Sequence, residues 1–147
     1  MNPSKHSRES EAARPIARDL NSAKATITHA ADKLAYVKSL DLIPATASFL
    51  FEEAYEVMKE CIKGLMVADG YTPHSDEEIV TFLEERYLGY YGELLIRSFE
   101  QDTRIKNDIV TRGVSASVDQ VMGAIEIAEE FVRVTWDLFD AKRAILA

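Results

Sequence analysis

Apolar residues recur at spacings of three and four along almost the whole chain, the period of an α-helix with one face turned inward. Ile16, Leu20, Ala23, Ile27, Ala30, Leu34 and Val37 form the first such stripe. It predicts a long helix opening just after Pro15, a residue tolerated in a first helical turn. Pro44 then interrupts the pattern, because the residue before a proline avoids helical geometry. A second stripe follows over residues 45–68, made of Leu50 or Phe51, then Ala54, Met58, Cys61 and Leu65. The short connection between the two stripes makes their helices antiparallel neighbours.

Residues 69–74, Asp-Gly-Tyr-Thr-Pro-His, read as a loop in which Gly70 caps the preceding helix and Pro73 keeps it from resuming. Ser75 with Glu78 is a capping box, reinforced by Asp76 and Glu77 in the first turn. The third helix carries Ile79, Phe82, Leu83 and Tyr87, and Gly89 and Gly92 bracket Tyr90 and Tyr91 at a bend. A short helix is expected to follow, ending at Gly113. Ser117 with Gln120 is a second capping box and starts a last helix, with Val118, Val121, Ile125, Ala128, Val132, Trp136 and Phe139 inward. No segment alternates apolar and polar residues, so no sheet is expected. The expected fold is all-α: an antiparallel bundle of four main helices plus one short helix. Leu20, Ile27, Leu34, Phe51, Met58, Leu65, Phe82, Val121, Ile125 and Trp136 are its expected core.

The length of 147 residues suits one domain. Residues 1–14 read as a flexible polar arm and 15–147 as the bundle. Seventeen Lys and Arg against 25 Asp and Glu leave a net charge of −8. That balance repels polyanions at long range and argues against a general nucleic-acid coat. One cysteine, Cys61, excludes an internal disulfide framework and suits a reducing compartment. Its place on the apolar side of a helix marks it as a buried hydrophobe. No apolar run is long enough to span a membrane, and the N-terminus has no secretory pattern, so a cytoplasmic protein is expected.

Residues 100–113 hold the candidate chemistry. On a helix, Arg104, Asn107, Asp108 and Thr111 share one polar stripe, with Lys106 and Arg112 beside it and Ile105 and Ile109 turned inward. Arg104 and Asp108 can pair across one turn, and the plain reading is a solvated face. Glu52, Glu53, Glu56 and Glu60 likewise read as a solvated face, because no histidine has a Glu three residues before it, as di-metal bundles require. No metal or cofactor is expected, and no glycine pattern matches a nucleotide fingerprint. His74 is a polar loop residue that helps close a turn, or an accessory group facing a ligand. Tyr87, Tyr90, Tyr91 and Trp136 at helical spacing read as core or contact residues ahead of base-stacking platforms.

Two long helices, the Gly-Tyr-Thr-Pro-His-Ser connection, a third helix, a short polar segment and a long last helix resemble the HEPN superfamily over residues 15–139. The most telling local match is Lys106-Asn107-Asp108-Ile109-Val110-Thr111-Arg112-Gly113. Family ribonucleases carry there an Arg, often a polar residue after it, and then a His. With Lys106 in the Arg place, Asn107 takes the polar place and Thr111 the His place. With Arg104 in the Arg place, Ile105 follows it and Thr111 again replaces His. No histidine follows His74. Metal-independent RNA cleavage needs a group that moves protons near neutral pH, and a threonine hydroxyl does not. The resemblance therefore implies a non-catalytic HEPN-like homodimer acting through binding. Its ligand would be a minimal nucleotidyltransferase partner, as in toxin–antitoxin pairs, or RNA or a nucleotide held by Arg104, Lys106, Asn107, Asp108, Thr111 and Arg112. The alternatives are a divergent ribonuclease toxin and a structural bundle without a ligand.

Overall fold

The structure is a computed structural model and describes residues 13–146. Four helices follow one another: α1 (Leu20–Ser39), α2 (Ala47–Asp69), α3 (Asp76–Arg112) and α4 (Val118–Leu146). The all-α bundle read from the hydrophobic pattern is the observed architecture. Among the described residues the one extended pairing is a two-residue antiparallel ladder. It joins β1 (Arg14–Pro15) to β2 (Tyr71–Thr72), with Arg14 opposite Thr72 and Pro15 opposite Tyr71. All but the last two residues of the expected arm, 1–14, lie outside the described residues; Ala13 packs on the core and Arg14 opens the ladder.

α1 begins later than its stripe predicts. Pro15 belongs to the ladder, Ile16 N–H donates to the Gly70 carbonyl at 2.8 Å, and the Ile16 side chain stays 42% exposed. Asp19 is the cap: its carboxylate accepts from the Ser22 N–H at 2.9 Å and from the Ser22 hydroxyl at 2.8 Å. These bonds hold the Asp19 carboxyl below its ordinary range. The chain thus pins itself to the end of α2 before turning helical. Gly70, in the left-handed region at φ 87°, is packed so closely by this segment that a Cβ would lie 3.0 Å from the Ile16 carbonyl oxygen.

α2 is the hub. Leu50, Phe51, Ala54, Tyr55, Val57, Met58, Cys61, Ile62, Leu65 and Met66 are all essentially inaccessible, so burial extends well beyond the single stripe seen in the sequence. A helix apolar on several faces must be enclosed, and α1, α3 and α4 enclose it. Cys61 is buried as expected, and burial pushes its thiol up to about 12. All ten expected core residues are buried or half-buried, with Leu20, Ile125 and Trp136 in the second group. A smaller cluster of Val37, Ala47, Leu50, Phe51, Ala54, Ala116, Val121 and Ala124 closes one end of the bundle.

The bend expected near the tyrosine pair falls at Gly92, whose φ of 82° and ψ of 154° break α3 into arms 76–91 and 93–112. That backbone conformation is essentially restricted to glycine. The expected short fifth helix is therefore the second arm of α3. Arg97 ties the arms across the kink, reaching Glu84 at 3.1 Å on the first arm and Glu93 and Glu100 on its own. Two contacts fix the first arm and α4 to the end of α2: the Tyr87 hydroxyl donates to Asp69, and Lys142 pairs with Asp69 at 2.5 Å.

α1 and α2 approach closely where Gly64 faces Ile27: a Cβ on Gly64 would lie 2.5 Å from Ile27 Cγ1. Gly64→Ala is expected to cost about 1–3 kcal/mol, as overpacking does in a filled core. Adding Ile27→Ala should recover part of that loss, because it removes the clashing atoms. Thermal melts of the two single variants and the double variant check this; strictly additive losses would disprove the close contact.

Candidate functional site

The rotation of the second arm of α3 is set by its apolar anchors. Phe99 is fully buried, stacks on Tyr55 at 5.3 Å with the planes 5° apart, and meets Phe131 at 5.9 Å. One turn farther, the Tyr55 and Thr103 hydroxyls lie 3.0 Å apart. Thr103 spends its proton on the Phe99 carbonyl at 2.9 Å, so Tyr55 is the donor of the pair. Burial pushes the Tyr55 phenol up to about 12, which keeps it a donor. Ile105 and Ile109 pack half-buried on the smaller cluster, as expected. With those positions inward, the helical period leaves Arg104, Asn107, Thr111 and Arg112 exposed and Asp108 and Lys106 half-exposed.

These candidate groups are not brought together. Arg104 lines a hollow of about 400 Å³ between the two arms of α3, with Asp76, Glu77 and Glu84 of the first arm and Glu100 of its own. Lys106 turns the other way and lies 5.7 Å from the centroid of the Tyr55 ring. Asp108 pairs with Arg112 at 3.5 Å. The expected Arg104–Asp108 pair is not what forms: the hollow's carboxylates lie on Arg104's side, and Arg112, one turn on, takes Asp108. The Thr111 hydroxyl donates to the Asn107 carbonyl at 2.6 Å and so is occupied within its own helix.

His74 sits where the loop reading put it. Its backbone N–H donates to the Glu78 carboxylate, while the Glu78 N–H donates to Ser75 Oγ at 3.2 Å. Glu78 is only 3% exposed, so the box is a buried clasp and reaches one residue farther back than the usual pattern. The second box has the usual form: Ser117 and Gln120 exchange bonds of 2.9 and 3.1 Å. The exposed His74 side chain lines a small hollow of about 140 Å³ with Lys59, Lys63 and Asp76. Asp76, held by Lys59 at 3.0 Å, forms part of the wall of both this hollow and the Arg104 hollow.

One residue went unnoticed in the sequence. Asp102 stands on the second arm between Phe99 and Ile105, three residues from each, and hence on the inward side of the helix. That placement was the readable signal: a carboxylate at an apolar phase. Its Oδ2 is buried and accepts no hydrogen bond from the described residues. Burial pushes its carboxyl up to about 6. It lines a groove of about 320 Å³ between α3 and α4, with Asp119 and Glu126 on the far wall. Among the described residues no three His, Cys, Asp or Glu side chains are gathered to hold a metal, and no helix is long and apolar enough to cross a membrane.

No family model, curated protein or solved structure matches this chain.

A carboxyl raised on folding binds its proton more tightly in the folded state. Stability is therefore lost as pH rises from about 4 to about 6 and stays lost above. Asp102→Asn is expected to stabilise the protein at pH 7 by about 1 kcal/mol, discounted for the solvent that still reaches the group, or about 3 °C. It should give no gain at pH 4. Melts at the two pH values check this, and an equal gain at both would remove the ionisation argument.

Proposed function

We propose that this protein is a non-catalytic, HEPN-like helical bundle that works by binding another protein. The observation that carries this reading is the dispersal of the motif: Arg104, Lys106, Asp108 and Thr111 each face a different neighbour. Cleavage of a phosphodiester needs a cation and a proton-transfer group aimed at one point. The charge of the Arg104 hollow favours a protein over RNA: with Arg97 on Glu84 and Glu100 and Lys59 on Asp76, its cations do not exceed its four carboxylates, in a chain of net charge −8. A phosphate approaching there meets no excess of positive charge, and the chain's net charge repels it at long range. A minimal nucleotidyltransferase is the partner class that the HEPN resemblance points to, with RNA or a nucleotide behind it.

Two copies are proposed to pair at the far end of the motif arm. Val110 and Val114 are 58% and 48% exposed around the turn into α4, apolar surface that a symmetric contact would cover. Sedimentation at micromolar protein is expected to report a dimer, and Val110→Glu a monomer. A monomeric wild-type protein would remove the pairing.

A divergent ribonuclease is the second reading. What favours it is the shared Asp76 wall, which places the His74 hollow beside the Arg104 hollow. Incubation with single-stranded RNA in the presence of chelator tests both. No cleavage is expected, with binding weaker than about 100 μM at physiological salt, the weak end of non-specific affinity. Cleavage abolished by Arg104→Ala would move the assignment to the ribonuclease, and loss with His74→Ala as well would locate its imidazole.

A further inference from the structure

Phe99 is the last fully buried residue of α3. Up to that point the helix is closed onto α4: Tyr91 and Phe99 both pack on Phe131, and the buried Tyr91 and Thr135 hydroxyls lie 2.6 Å apart. Beyond it the inward positions are Asp102, Ile105 and Ile109, and all three are only half-buried. The next fixed point is the turn after Gly113, where the Ala116 N–H donates to Ser48 Oγ at 3.0 Å. Residues 102–113 thus form a span tied at both ends and lightly packed between.

Asp102 puts an acid on the inward side of this span. Its Oδ2 is buried and accepts no hydrogen bond from the described residues. The neighbouring elements bring it no partner. On the α4 side, Asp119, Glu126 and the neutral Gln120 line the groove that it shares. On the α2 side stands Tyr55, whose phenol is held up chiefly by burial and in small part by the Asp102 charge. The Tyr55 hydroxyl bonds Thr103 instead. On α3 itself, Lys106 lies one turn on beside the Tyr55 ring, and Arg104 lines the other hollow. Neither described histidine, His29 or His74, lines the groove.

We propose that this span is a pH-sensitive joint: it packs against α2 and α4 while Asp102 carries its proton, and loosens from them when Asp102 ionises. A protonated carboxyl is neutral, sits among apolar neighbours at modest cost and has a donor of its own. The carboxylate is a buried charge without a partner, and turning it to water relieves that cost. Only the half-buried Ile105 and Ile109 resist, while Phe99 stays stacked on Tyr55. The carboxyl titrates at about 6 when packed and near 3.8 when turned to water. The packed state therefore holds the proton more tightly, so opening becomes easier as pH rises through that range and levels off above it. The span carries Arg104, Val110 and Arg112, so pH sets how the motif face is presented. This goes beyond the binding role proposed above and does not depend on it.

Amide hydrogen exchange, corrected for its intrinsic pH dependence, reads local opening in the intact protein. Peptides within 102–112 are expected to exchange ahead of those within 76–91 and 120–135. Their protection should fall about tenfold between pH 4.5 and pH 7, inside the roughly hundredfold limit that two pKa units set. Sub-denaturing urea should leave that fall unchanged, because a local opening exposes little new surface. Asp102→Asn should abolish the fall. Asp119→Asn with Glu126→Gln, which neutralises the exposed acids of the same groove, should preserve it. Protection in 102–112 that is flat with pH, or a fall that persists in Asp102→Asn, would overturn the joint. So would a fall lost on neutralising Asp119 and Glu126, which would place the titration there. Exchange of the span that follows urea in step with the other helices would make Asp102 a determinant of global stability alone and overturn the local opening.

Discussion

The contact between Ile27 of α1 and Gly64 of α2 lets two helices approach until a methyl group would no longer fit between them. That approach allows α2 to be buried on several faces, since α1 covers one face closely enough to leave the others to α3 and α4. A helix with this much apolar surface has no stable position at the edge of a molecule. The order of the bundle follows: α2 sits at the centre, and the other three are placed by what they cover on it. The short ladder and the Asp19 cap hold the start of the chain against the end of the same helix.

Enclosing α2 also forces the break in α3. A straight helix of that length could cover only one line along the hub. Gly92, in a backbone region closed to other residues, redirects it so that Tyr87 and Tyr91 cover one part of the core and Phe99 another. Arg97 then spans the two arms with its three carboxylates. The hollow holding Arg104 is the inside of this bend, and the groove holding Asp102 lies where the second arm runs beside α4. Carboxylates line both hollows, and in the first of them Arg97 and Lys59 pair three of the four.

The local chemistry of the motif arm follows from the same packing. Once Phe99, Ile105 and Ile109 are anchored, the helical period leaves no freedom in where the polar groups point. Lys106 rests near the Tyr55 ring and Arg104 enters the bend, so two cations close together in sequence face different surroundings. A side chain's role is set by the wall it meets, and neighbours one or two residues apart on a helix meet different walls.

The sequence by itself determined the order of the four main helices, the caps at Ser75 and Ser117, the helix ends at Gly70 and Gly113, and most of the inward residues of each stripe. These depend on periodicity and on single-residue backbone preferences, which act within a few residues. The break near Tyr90 and Tyr91 was legible for the same reason. Only the tertiary structure decided that α2 is the hub, because Tyr55, Val57, Ile62 and Met66 lie off its main stripe and are buried by three separate helices. It likewise decided that Pro15 joins a ladder with Tyr71 rather than a helix, and that Asp108 takes Arg112 while Arg104 faces other acids. Asp102 shows the boundary between the two. Its inward phase could be read from Phe99 and Ile105, but its lack of a donor depends on α4 passing at a distance, and distance between segments far apart in sequence is not encoded in either one alone.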